Sequence, residues 1–147
     1  MIVEFEIPRI QPKERPQVAY STRSLYTPIR TRKFEAEVRF IYGLVSGHQF
    51  EGAVKVTIEF YFHRPKTVKR EQPTVKPDLD NCIKSILDGL NPHRETYGIT
   101  KGAWADDGQV VEIHAVKRYT DGEEKAIVRI EDYEHDGIPE CQLGKGL

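Results

Sequence analysis

The chain has 147 residues, of which 38% are hydrophobic and 31% charged, with a formal net charge of −1. That length and composition suit a single globular domain with one core. No apolar run approaches the ~20 residues that a helix needs to span a bilayer. With only Cys82 and Cys141 there is neither a disulfide framework nor a cysteine zinc site.

Ile2 to Ile7 alternates apolar and polar residues, as a half-buried strand does. It lacks a basic segment followed by an apolar one, so it is not a signal peptide, and the expected location is the cytoplasm. Pro8 to Pro28 is rich in Pro, Arg, Ser and Thr without helical period and reads as a long basic loop. Ile29 to Val45 reads as a helix, with Phe34, Val38, Ile41, Tyr42 and Val45 at helical spacing and Gly47 as its stop. Ala53 to Phe62 alternates as a strand. Arg64 to Lys76 is a flexible basic connection.

A second helix follows, with Leu79, Ile83, Ile86, Leu87 and Leu90 on one stripe that packs on the sheet. Pro77 sets its start at Asp78 or Leu79, and Gly89 weakens its last turn. Cys82 lies near the stripe and has a packing role. Pro92 to Gly102 is a loop. Val110 to Val116, apolar on both faces, is a candidate central strand. Asp121-Gly122 marks a hairpin-type turn, and Lys125 to Glu131 is the return strand. The fold class expected is α/β (α+β): one domain over 1–147, with a small mixed sheet packed by two main helices and a core at about 3–131. The acidic tail 132–147 is expected to fray.

The small net charge hides a segregation of sign. Residues 9 to 39 hold eight basic residues against three acidic ones, and Arg64, Lys66, Lys69, Arg70 and Lys76 follow. Such patches bind a polyanion whatever the total charge, although solvated loops carry similar runs. Arg15, Arg23, Arg30, Arg32, Lys33, Arg64, Lys66, Lys69, Arg70 and Lys76 are the candidate contacts to such a polyanion.

Between these runs lie clustered carboxylates. A helix cap accounts for one of Asp78 and Asp80. On a regular helix the two point roughly 160° apart at about 3.6 residues per turn, so they converge only if Asp78 precedes the helix. Asp106-Asp107 fits a turn. Alternatively, the strand beginning near Gln109 delivers one of these carboxylates beside the helix start. Convergent aspartates suit magnesium, which prefers oxygen ligands and keeps waters for chemistry on phosphate. Lys84 fits an i,i+4 ion pair with Asp80 or Asp88, or a positive charge for the phosphate. Asp88 reads as a surface or supporting group. The five histidines show no metal spacing, and Trp104 and Tyr97 are expected to be buried rather than to stack on bases.

Three stretches carry a resemblance: Lys-Pro-Asp-Leu-Asp-Asn-Cys-Ile-Lys at 76 to 84, Leu-Asp-Gly-Leu-Asn at 87 to 91, and Trp-Ala-Asp-Asp-Gly-Gln-Val at 104 to 110. With Ile7-Pro8, Arg15-Pro16 and Tyr26-Thr27-Pro28, they resemble the RusA family of Holliday junction resolvases, in its shorter phage-type form. The resemblance implies a homodimeric, Mg²⁺-dependent endonuclease, with Mn²⁺ able to substitute, that cuts four-way DNA junctions by paired nicks in recombination and repair. It implies catalytic roles for Asp78, Asp80, Lys84 and Asp107, and metal ligation by Asp78, Asp80 and Asp107, with Asp106 as a neighbouring acid. No organic cofactor and no membrane are expected, and phage origin fits the family. The longer 92–103 loop and the acidic tail depart from the family pattern. The alternatives are a metal nuclease for flaps or other branches and a non-catalytic branched-DNA-binding protein.

Overall fold

The computed structural model describes residues 1–134. The expected fraying of the tail from Asp132 falls mostly on 135–147, outside the described residues. In chain order the elements are β1 (Ile2–Ile7), β2 (Gln17–Ala19), β3 (Ser24–Tyr26), α1 (Ile29–Val45), β4 (Val54–His63), α2 (Leu79–Leu90), β5 (His93–Glu95), β6 (Gly98–Thr100), a 3₁₀ turn (Asp107–Gln109), β7 (Val110–Thr120) and β8 (Lys125–Asp132). The fold is α+β in one domain. The two loops expected at 8–28 and 92–102 each contain a small antiparallel hairpin, β2–β3 and β5–β6.

The main sheet has the order β1-β8-β4-β7. Strands β1 and β8 pair antiparallel, as do β8 and β4, while β4 and β7 run parallel. This corrects two expectations. Strand β7 lies at the edge, and β8 is not its hairpin partner. The most apolar strands take the centre: Val54, Val56, Ile58 and Phe60 of β4 and Ala126, Val128 and Ile130 of β8 are fully buried. Strand β7 leaves Val111 and Ile113 exposed. The Asp121-Gly122 turn instead crosses the end of β4, where His63 Nδ1 lies 2.8 Å from the Gly122 oxygen and the Arg64 amide donates to Thr120 at 3.0 Å.

Both long helices cover one face of this sheet. Helix α1 buries Phe34, Val38 and Tyr42, and Tyr42 meets Phe5 of β1 edge-on at 5.6 Å. Ile41 is half-buried and Val45 exposed, so the expected stripe is narrower at its end. Gly47 takes the left-handed backbone (φ +67°) that stops α1. In α2, Ile86 and Leu90 are fully buried, each burial contributing about 1.5–3 kcal/mol. Leu79, Ile83 and Leu87 pack half-buried beside them, and Cys82 is in the core as expected. Gly89 does more than weaken the helix: a Cβ there would stand 2.9 Å from Val38 Cβ, so its absence allows α1 and α2 to approach.

Candidate active site

Helix α2 is the frame of the site, and its two ends carry different carboxylates. At the start, Asp78 has extended backbone (φ −70°, ψ 142°) and makes no side-chain cap bond. It therefore precedes the helix, the condition under which it can converge with Asp80, and capping does not explain it. Lys76 Nζ donates to both Asp78 oxygens at 2.7 Å. Asp80 is exposed and accepts from the Asn81 amide at 2.9 Å.

The connection ahead of Asp78 is pinned, not flexible. Lys117 Nζ, from β7, donates to the carbonyl oxygens of Val75 at 2.7 Å and Pro77 at 2.8 Å. An Arg64 guanidinium nitrogen donates to the Glu71 carbonyl at 3.1 Å. Lys117 sets the backbone entering Asp78, and nothing local in the sequence marks it: it is one lysine on a strand.

At the other end, Asn91 is the C-cap of α2. Its amide donates to Asp107 Oδ2 at 3.3 Å, and its Oδ1 accepts from the buried Trp104 Nε1 at 2.7 Å. Gln109 secures the same turn by accepting from the Ala105 amide and donating to the carbonyls of Phe50 and Gly52, each at 2.9 Å. Asp106 accepts from the Gly108 amide at 2.9 Å, which bears out the turn reading for that residue. Gly102 is required here, because a Cβ would stand 1.9 Å from the Leu90 oxygen.

The expectation that the strand near Gln109 brings a carboxylate beside the start of α2 is therefore corrected. Asp107 sits at the helix end. The reason is the crossover: β4 and β7 are parallel, so the helix linking them runs back along the sheet, and β7 begins where α2 finishes. Asp80 and Asn91 are about 16 Å apart along the axis, at roughly 1.5 Å per residue. Among the described residues of one chain, no three His, Cys, Asp or Glu side chains group closely enough to hold a metal ion.

Lys84 is exposed on α2, and among the described residues it makes no ion pair with Asp80 or Asp88. Asp88 instead pairs with Lys13 at 3.0 Å, and Lys13 with Glu35 at 2.5 Å. Burial pulls the Lys13 ammonium down, but the hydrogen bonds and charges of Glu35 and Asp88 outweigh it and leave its pKa raised. Lys13 joins the 8–28 segment to both helices. Arg39, 8% exposed, donates to the Asn91 carbonyl at 2.8 Å and closes the end of α2. Arg9 pairs with Glu37 at 2.7 Å. Three cations of the first basic run are thus structural.

The family model for Endodeoxyribonuclease RusA matches residues 9–131. The chain belongs to the RusA family. It is an endodeoxyribonuclease, a hydrolase of the family that acts on Holliday junctions. It is also similar to the uncharacterized protein YqaN of Bacillus subtilis (strain 168), with 31% identity over 110 residues, which span 64% of this chain and 69% of that protein.

In this RusA-family chain, Arg15, Arg23, Arg30, Arg32, Lys33, Lys66, Lys69, Arg70 and Lys76 are exposed and Arg64 is half-buried. Arg30 lies 3.8 Å from Glu14. Trp104 is buried as expected, whereas Tyr97 is fully exposed at the tip of β5–β6. Among the described residues no helix is long and apolar enough to cross a membrane.

Proposed function

We propose that this RusA-family nuclease resolves four-way DNA junctions as a homodimer, by paired phosphodiester cleavage that depends on Mg²⁺ and serves recombination and repair. The observation that carries the reading is the separation of the carboxylates to the two ends of α2. Among the described residues one chain does not complete a metal site, although all the donors are carboxylate oxygens of the kind magnesium prefers. A two-fold axis that sets two copies of α2 antiparallel brings the start of one helix beside the end of the other, and it does so twice. Asp78 and Asp80 of one protomer would then face the partner's Asp107. The dimer would hold two identical sites, matching the two strands a resolvase cuts.

Bound there, a divalent cation would supply Lewis-acid polarisation of the phosphate and an activated water. The chain's own residues do the rest. Lys84, one helical turn beyond Asp80, offers positive charge to the phosphate and to the leaving oxygen. Lys76, held against Asp78, balances that carboxylate before DNA arrives. The exposed cations of the basic runs contact the backbone, and affinity through them falls steeply with salt.

The test is cleavage of labelled four-way, three-way and linear DNA in Mg²⁺ and in EDTA. The four-way junction should be cut in Mg²⁺ alone. Equal cutting of linear duplex overturns junction resolution, and preference for the three-way substrate replaces it with a flap or fork nuclease.

A further inference from the structure

Beside the start of α2, between the end of β4, the end of β7 and the 65–77 connection, lies a hollow of about 180 Å³. Its walls are mainly apolar, with Phe62, Pro73, Val75 and Tyr119 prominent, and its charged residues are Arg70, Lys76 and Lys117, with no carboxylate. Two other hollows mix cations with acids: Arg32 and Arg39 meet Glu35 and Glu95 in one, and Lys55 meets Glu112 and Glu131 in the other. An apolar cleft whose own charged lining is cationic, with Lys76 paired to Asp78 at its rim, suits a flat apolar group attached to an anion.

The size narrows the choice. A cavity of about 150 Å³ accepts a benzene ring, whereas larger organic ligands occupy about 300–1,000 Å³. A single nucleobase is of that scale, and in DNA it comes joined through its sugar to a phosphate. The aromatic wall is also held still: the Arg64 guanidinium lies 5.0 Å from the Tyr119 ring centroid, and Arg70 Nε donates to the Tyr119 hydroxyl at 2.9 Å. A fixed aromatic ring with arginine beside it is a stacking platform for a base. Lys76 lines the hollow and bonds Asp78, so the hollow opens next to the carboxylates.

We infer that this hollow takes one base unstacked from the branch point, with its phosphate on Arg70 and Lys76, and so helps select branched DNA over duplex. Branch-point bases are easier to unstack than those inside a continuous helix, which makes such a pocket a device of selectivity. The inference rests on the junction reading above.

The test uses four-way junctions carrying 2-aminopurine at each branch-point position in turn, bound in EDTA so that the DNA stays whole, with complex formation followed by gel shift. In the natural chain, fluorescence at one position should change at least twofold on binding. Val75→Trp, which fills the hollow, and Tyr119→Leu, which removes the aromatic wall, should still shift the junction yet lose that change, with circular dichroism confirming their fold. A bound junction with no change at any position, or the same change in both variants, overturns the pocket and leaves junction resolution standing. Failure of the natural chain to bind the junction in preference to duplex overturns both.

Discussion

The side-chain amide of Asn91 donates to the Asp107 carboxylate at 3.3 Å, at the opposite end of α2 from Asp78. If the site is shared between protomers, mixing two inactive variants should rescue activity. Asp80→Asn and Asp107→Asn should each abolish cleavage alone. Their mixed dimer contains one site with both aspartates intact, and it should nick a junction on one strand. A site contained within one chain predicts no rescue, so a silent mixture counts against the shared site.

Asn91 also serves the fold, through its bond to Trp104 Nε1. Asn91→Ala leaves that buried N–H unpaired and should cost about 1–3 kcal/mol. Asn91→Asp keeps an acceptor for Trp104 but sets a carboxylate against Asp107. It should melt closer to the natural chain while losing cleavage. Thermal melts alongside cleavage rates separate the two effects.

Lys117 pairs with no carboxylate among the described residues, yet it holds the carbonyls of Val75 and Pro77 ahead of Asp78. Lys117→Met should lower kcat about tenfold or more, because a displacement of about 1 Å costs as much as a hundredfold. Lys117→Arg should restore part of the loss. An unchanged kcat in Lys117→Met would mean that the turn holds itself.

Replacing Gly89 with alanine offers about 1 kcal/mol of helix propensity. The new Cβ, however, meets Val38 Cβ at 2.9 Å and the Glu35 carbonyl at 3.1 Å. Overpacking costs about 1–3 kcal/mol, so the net change should be destabilising, read as a lower urea midpoint. A raised midpoint would show slack between α1 and α2.

Burial pushes the Cys82 thiol from 9.0 up to about 11. Above pH 9 the unfolded chain loses this proton while the folded chain keeps it. Stability from this group is therefore complete below pH 9 and declines as pH rises toward 11, by about 2–3 kcal/mol in all. Tyr42, pushed by burial to about 12, adds a similar decline from pH 10. Urea unfolding from pH 8 to 10.5 should show a shallower decline in Cys82→Ala than in the natural chain. Equal slopes would refute the buried-thiol account.

Much was legible in the sequence because it is written in local periodicity. The alternation of Ile2 to Ile7, the helical spacing of Phe34, Val38 and Tyr42, and the stripe of α2 each needed only nearby residues. So did the position of Asp78, since Pro77 restricts where a helix can begin. Strand order was not local. Strand β7 reads as apolar on both faces, yet β4 and β8 bury their side chains more fully and occupy the centre. Tyr97 likewise stands exposed on a hairpin that reads as a loop.

The sequence by itself determined the carboxylate set, the basic runs and the family, because residue identity and spacing are properties of the chain alone. Only the tertiary structure decided where those carboxylates stand. The parallel pairing of β4 with β7 turns α2 back along the sheet, so Asp107 arrives at its end and Asp78 stays at its start. Chain distance carries no such information: 27 positions separate Asp80 from Asp107, and the 12-residue helix α2 holds them at its opposite ends.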